Sequence, residues 1–169
     1  MINMSRENLP VSRSIEFNLK IHELWELISR PGNLNQTHPY CLSNEVIRWD
    51  GEYHSDRLIY LNGRNYIRKF NTWNENKGYS LSIGEENGSK SFVEWEIDFL
   101  SDNKSLLTIT IYPYILSKFP SIFQNILHIF WIEPRLQKYL KSVLRGFLFY
   151  SENNYSVPRN HFGKHPWFS

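Results

Sequence analysis

Residues 134–152 read PRLQKYLKSVLRGFLFYSE, the strongest amphipathic helix pattern in a chain of 169 residues. Pro134 is favoured in the first turn of a helix, where its missing N–H leaves no hydrogen bond unmade. Apolar side chains recur at helical spacing on one side of this segment, and basic side chains lie opposite. The apolar side comprises Leu136, Leu140, Val143, Leu144, Phe147 and Tyr150. We therefore expect a long terminal helix with one buried face.

The sequence before this helix has mainly the pattern of β-strands. Six short runs between Leu42 and Ile115 alternate polar and apolar residues or are rich in β-branched and aromatic ones. Short turns such as Asn62-Gly63 separate the runs, which favours antiparallel pairing. A further strand, Ser14–Ile21, precedes two short helices between His22 and His38. The order β-α-α-β6-α predicts an α+β fold, in which a curved antiparallel sheet wraps around the C-terminal helix.

Alternation also predicts which strand residues point toward the helix. The run that contains Trp95 alternates apolar residues with Glu94 and Glu96, so its apolar set should face inward. The run 65–73 is ambiguous, because either of its faces could be buried. We place Tyr66 and Arg68 inward there, with Lys69 and Trp73 on the outer face.

Composition and charge exclude several classes of function. The 19 basic and 17 acidic residues give a net charge of +2, too balanced for a nucleic-acid surface, so we expect no nucleic-acid partner. The single cysteine, Cys41, excludes an internal disulfide framework and a paired-cysteine metal site. His161 and His165 share a metal-like spacing, but Gly163 and Pro166 disfavour a helix there, so we expect no metal and no cofactor. The first residues lack the apolar core of a signal peptide, which predicts a cytoplasmic protein.

We expect a single domain over residues 1–169. Residues 1–12 should form a loose arm, residues 13–153 the core, and residues 154–169 an aromatic tail packed on the body. Residues 119–132 form an insertion that is apolar on nearly all sides of a helix. Burial, a lid over a cavity, and transient contact with a membrane surface all remain open for this insertion.

Three local stretches, together with the order of elements, indicate a known family. They are NLNQTHP (residues 33–39), YLNG (residues 60–63) and the ending NHFGKHPWFS (residues 160–169). The chain resembles the START-like helix-grip superfamily, also called SRPBCC, which includes polyketide cyclase/dehydrase and lipid-transport proteins. Within it, the stretches resemble a little-characterised bacterial branch. The resemblance implies a cavity between sheet and terminal helix that takes an apolar ligand, and it supplies no catalytic motif.

These expectations define a candidate site. Aromatic residues make up 16% of the chain, and aromatic side chains are typical of apolar pockets. We expect a pocket of roughly 300 Å³ or more, in which Arg68 would hold an anionic or carbonyl group of the ligand. The predicted ligand-binding residues are Tyr66, Arg68, Trp95, Ile109, Ile111, Leu140, Val143 and Phe147.

Three functions remain open at this point. We favour a non-enzymatic binding or carrier protein for a hydrophobic small molecule or lipid. The second function is an enzyme of the cyclase or dehydratase type, with His38, Tyr66 or Arg68 as acid–base groups in the same cavity. The third is a module that docks on a membrane or a partner through residues 119–132.

Overall fold

The computed structural model describes residues 9–114 and 126–169, so the first part of the predicted insertion 119–132 lies outside the described residues. The seven strands are β1 (Val11–Phe17), β2 (Cys41–Asp50), β3 (Tyr53–Tyr60), β4 (Asn65–Asn74), β5 (Gly78–Gly84), β6 (Lys90–Ser101) and β7 (Lys104–Tyr112). The helices are α1 (Ile21–Ser29), α2 (Leu34–Thr37) and α3 (Glu133–Asn153), and one turn of π-helix, His128–Ile132, leads directly into α3.

All strand pairs are antiparallel, and the order across the sheet is β1-β7-β6-β5-β4-β3-β2. The chain leaves β1, crosses by way of α1 and α2 to the opposite edge of the sheet, and then returns strand by strand to β7. The long helix α3 packs against β1 and α2. The predicted α+β architecture, a curved antiparallel sheet around a C-terminal helix, is confirmed.

The first strand begins and ends earlier than expected. It is Val11–Phe17 rather than Ser14–Ile21, so Val11 is buried and paired with Ile111 rather than part of a loose arm. The alternation of apolar residues continues to Ile21 and therefore does not mark the end of the strand. A local hydrogen bond marks it instead, because the Glu23 carboxylate accepts from the backbone N–H of Lys20 at 2.8 Å and starts α1.

Strand β4 corrects the face assignment of Trp73. The pairing of β4 with β5 shifts by one residue between Phe70 and Thr72, which indicates a β-bulge. After the bulge, Trp73 lies opposite Tyr79, stacks on its ring at 5.5 Å and meets the Trp25 ring edge-on at 5.2 Å. Trp73 therefore packs against the core rather than on the outer face. A strict two-residue period cannot reveal such a bulge.

Gly146 allows α3 to approach α2 closely. A Cβ atom at this position would come within 2.1 Å of the backbone oxygen of Thr37. Because backbone atoms cannot move aside like the end of a flexible side chain, only glycine fits here without a shift of one helix. This contact sets how deeply α3 sits over the sheet.

We expect Gly146→Ala to destabilise the protein even though alanine is the better helix former by about 1 kcal/mol. The clash with Thr37 should lower the free energy of unfolding by about 1–3 kcal/mol, the usual cost of overpacking. Chemical denaturation measures this, with the exposed Lys141→Ala in the same helix as control. A Gly146→Ala protein as stable as the control variant would contradict the close approach.

Candidate functional site

A cavity of about 210 Å³ lies between the inner face of the sheet, α3 and the C-terminal residues. It is smaller than the expected 300 Å³, and Trp167 and Phe168 of the tail form one of its walls. The Phe168 ring stacks on Tyr60 at 4.4 Å and lies 4.6 Å from the Tyr139 ring. The C-terminal residues Trp167 and Phe168 therefore form part of the site.

The wall across β5, β6 and β7 is apolar apart from Ser91 of β6. Its side chains are Leu81 and Ile83 from β5, Val93 and Trp95 from β6, and Ile109 and Ile111 from β7, with Leu136, Leu140 and Val143 opposite them on α3. Alternation directs them to the same face, as expected for strands. The Trp95 ring is held between Tyr79 at 5.4 Å and Phe147 at 5.3 Å.

The structure brings most of the predicted site residues together. Tyr66, Arg68, Trp95, Ile109, Ile111, Leu140 and Val143 all line the cavity. Phe147 does not, since it is fully buried behind Trp95. Their role in ligand binding stays a prediction.

The wall on the β3–β4 side is polar, and a buried ion pair supports it. Arg68 lines the cavity, and its Nε donates to Asp56 Oδ1 at 2.7 Å while one terminal nitrogen donates to Asp56 Oδ2. Both side chains are almost completely buried. Burial by itself would lower the pKa of Arg68, but the Asp56 carboxylate outweighs this and the pKa is raised. Arg68 is therefore a permanent cation whose charge Asp56 already balances.

Three further polar side chains form a hydrogen-bonded chain along this wall. The backbone N–H of Tyr40 donates to His38 Nδ1 at 3.2 Å, which assigns the ring proton to Nε2. His38 Nε2 then donates to the Tyr139 hydroxyl at 3.0 Å, and that hydroxyl lies 3.1 Å from the hydroxyl of Tyr60. His38, Tyr60 and Tyr139 all line the cavity.

All three side chains of this hydrogen-bonded series are uncharged near neutral pH. Burial, together with the nearby charge of Arg68, lowers the pKa of His38 to about 3. Burial raises the pKa of Tyr60 and of Tyr139 above the ordinary value for tyrosine. These three side chains therefore present dipoles and no charge to the cavity.

Comparison with solved structures places this arrangement in a known fold. XoxI from Bacillus cereus superposes with a TM-score of 0.61 at 16% identity, over 86% of this chain and 96% of that one. The Zhui aromatase/cyclase from Streptomyces sp. R1128 gives 0.66 at 12% identity, over 86% and 94%. A START superfamily protein from Mycobacterium smegmatis gives 0.59 at 14% identity, over 83% and 97%. This chain has the START-like, or SRPBCC, helix-grip fold.

No family model matches this sequence, and no curated protein matches it either. The structural similarity, at identities well under 25%, therefore establishes the helix-grip fold and leaves the chemistry of the cavity to be argued from its own residues.

Sequence reasoning missed two side chains that line the helix-grip cavity, Tyr60 and Tyr139, and the partner of Arg68, Asp56. Tyr139 lies three residues after Leu136 and so borders the apolar face of the helix. The helical pattern assigns that face to its neighbour Leu140 instead. In the sequence, Tyr60 stands out only as the first residue of the YLNG stretch. Asp56 could have been found by counting back from the Asn62-Gly63 turn, since this register pairs it with Arg68.

Neither metal nor thiol chemistry finds support at the site. Among residues 9–114 and 126–169, no three His, Cys, Asp or Glu side chains are placed to hold a metal ion. Burial raises the pKa of the Cys41 thiol to about 12, which leaves it almost entirely protonated at neutral pH.

Exposed apolar side chains lie in the π-helix and just before it. Ile126, Ile129, Phe130 and Trp131, named here the apolar patch, are all exposed, and Phe130 is 77% accessible. Trp131 also lines the cavity, so the patch adjoins the site. No helix in the described part of the chain is long and apolar enough to cross a membrane.

The low pKa of His38 predicts how stability depends on pH. His38 titrates near 6.5 when unfolded and near 3 when folded, so between these values only the unfolded state binds its proton. The contribution of His38 to the free energy of unfolding is complete above about pH 6.5. It is lost on acidification, by up to about 1.4 kcal/mol per pH unit. Burial also lowers the pKa of His54 and of His165, so both add to the slope.

His38→Gln, which keeps a side-chain N–H for Tyr139, should flatten this slope. Urea unfolding measured from pH 7 to pH 4 gives the free energy of unfolding at each pH, and the exposed His22→Gln serves as control. Equal slopes in wild type and His38→Gln would show that folding does not lower the pKa of His38.

Proposed function

We propose that this protein binds a hydrophobic small molecule in the cavity between its sheet and α3 and carries it without changing it chemically. The observation that carries the proposal is the apolar wall, in which side chains from three strands and the helix enclose one space beside a single polar wall. Apolar lining with few, oriented polar groups is typical of small-molecule sites. The volume of about 210 Å³ suits a ligand of about two fused rings more than a long acyl chain.

The polar wall supports a carrier more than an enzyme. Acid–base catalysis needs a group with a free site for the proton and a pKa near the working pH. Both nitrogens of His38 are engaged, by Tyr40 and Tyr139, and Arg68 is held on Asp56. The convergent polar groups thus satisfy mainly one another. Anchoring a ligand requires one free hydrogen bond, whereas a cyclase or dehydratase would need a base that this wall does not offer among its described residues.

The structural neighbours are consistent with this assignment at a coarse level. One is named a START superfamily protein and another an aromatase/cyclase, and both share the helix-grip architecture. This shared architecture leaves space for a ligand between the sheet and the helix. Their low identity to this chain transfers neither a substrate nor a reaction.

Titration with the neutral fluorophore N-phenyl-1-naphthylamine tests the proposal, and we expect saturable 1:1 binding. Ile109→Trp fills the cavity and should weaken binding at least tenfold. Thr110→Trp, on the other face of the same strand, should leave binding unchanged, because Thr110 pairs outward with Ser12. Thermal melts establish that both variants fold. Equal affinity of the two variants would place the probe outside the cavity and contradict the proposal.

A second candidate function is reversible contact with an anionic membrane surface during ligand loading. The observation that favours it is the apolar patch beside the cavity, with Phe130 almost fully exposed. Arg135 lies over the Trp131 ring at 5.0 Å, and Lys138 lies one turn further along α3. Apolar side chains beside cations suit an interface with anionic lipid, where each cation near the surface adds about 1 kcal/mol.

Co-sedimentation with phosphatidylcholine vesicles, with and without phosphatidylserine, tests this candidate. We expect binding that increases with phosphatidylserine, and an Ile129→Asp, Phe130→Asp variant should bind at least tenfold more weakly because it loses apolar area at the interface. Phe99→Asp, at an exposed position in β6, is the matched control. Equal sedimentation of the patch variant and the control would remove the membrane role.

A further inference from the structure

We infer that the cavity selects uncharged ligands that carry a hydrogen-bond acceptor, such as a ketone or ester carbonyl, and rejects carboxylates of the same size. This inference deepens the proposed function and rests on it. It departs from the expectation that Arg68 holds an anionic group, because the surroundings of that guanidinium leave no unbalanced charge for an anion.

The first argument is the charge balance of the polar wall. The Asp56 carboxylate engages Arg68 through two hydrogen bonds, and both groups are shielded from water. A carboxylate entering beside Arg68 would lose its hydration and would meet a cation whose charge Asp56 already balances. A buried charge without its own partner is strongly unfavourable. The neutral state of His38, Tyr60 and Tyr139 supplies no second cation.

The second argument is a count of hydrogens in the chain His38–Tyr139–Tyr60. With the ring proton on Nε2, these three side chains carry three polar hydrogens and share two hydrogen bonds. One hydroxyl hydrogen, on Tyr60 or on Tyr139, therefore has no acceptor among the described residues. Both hydroxyl-bearing side chains line the cavity. A ligand with an acceptor satisfies this donor, and a pure hydrocarbon leaves it unpaired.

Arg64 is the other cation on the wall, and it lies at the rim. Its side chain is exposed and donates to the Tyr66 hydroxyl at 3.3 Å. Because the Arg64 charge stays in contact with water, it is screened and offers little to an enclosed ligand. The acceptor end of the ligand should therefore lie at Tyr60 and Tyr139 rather than at Arg64.

Three ligands of equal size test the selection by competition with N-phenyl-1-naphthylamine at pH 7. 2-Acetylnaphthalene carries a carbonyl, 2-isopropenylnaphthalene replaces its oxygen with CH₂, and 2-naphthoate carries a charge. We expect the ketone to bind about 2- to 10-fold more tightly than the hydrocarbon, the value of one neutral hydrogen bond. Naphthoate should bind at least tenfold more weakly than the ketone.

Variants locate the two causes. His38→Phe with Tyr60→Phe and Tyr139→Phe removes all three polar hydrogens of the hydrogen-bonded chain and should abolish the advantage of the ketone over the hydrocarbon, whereas Arg64→Gln should preserve the ligand order. Asp56→Asn leaves the Arg68 charge unbalanced and should reverse the order of ketone and naphthoate. If Asp56→Asn does not fold, the wild-type series and the triple variant decide the question.

The outcomes separate this inference from the proposed function. Saturable binding of all three ligands with naphthoate equal to or tighter than the ketone overturns the inference and leaves the carrier function intact. A ketone advantage that survives in the triple variant, or that disappears in Arg64→Gln, also overturns it. Absence of saturable binding for the probe and all three ligands overturns the proposed function itself.

Discussion

The buried ion pair between Asp56 and Arg68 is the interaction on which the polar wall of the cavity depends. Removing two charges from water costs several kcal/mol each, so the pair persists only because its geometry is bidentate and its strands are fixed in register. The three-residue turn with Gly63 at a φ of +85° sets that register, because it closes the β3–β4 hairpin between Tyr60 and Arg64. The register set by this turn brings Asp56 and Arg68 together and so balances the charge of the guanidinium on the polar wall.

The cavity exists because the sheet and α3 do not pack completely against each other. The close approach at Gly146 packs the C-terminal half of α3 against α2, and the neighbouring Phe147 packs against Trp95 of the sheet. The tail then closes one wall, since the side-chain amide of Asn62 donates to the Trp167 carbonyl at 2.7 Å and so ties the end of the chain to the β3–β4 turn. The same turn therefore positions both the ion pair and the tail.

Much of the fold could be predicted from patterns with a short range. Turn residues separated the strands, alternation placed Trp95, Ile109 and Ile111 on the inner face, and helical spacing gave α3 to within a residue at each end. Errors occurred where periodicity carries no signal. Alternation continued past the end of β1, and the bulge after Phe70 returned Trp73 to the core. Both depend on single hydrogen bonds or single inserted residues, which a pattern averaged over many positions cannot resolve.

The sequence by itself determined the order of the elements, the helix-grip architecture and an inward face rich in aromatic side chains, because these depend on residue spacing along the chain. Only the tertiary structure decided which polar groups meet inside. His38, Tyr60 and Tyr139 come from three separate parts of the chain, and their hydrogen bonds require all three elements in place. Whether Arg68 is a free cation or a balanced one depended on Asp56 opposite it. Charge and hydrogen bonding are properties of neighbours in space, so the polarity of the cavity became visible only once the chain was folded.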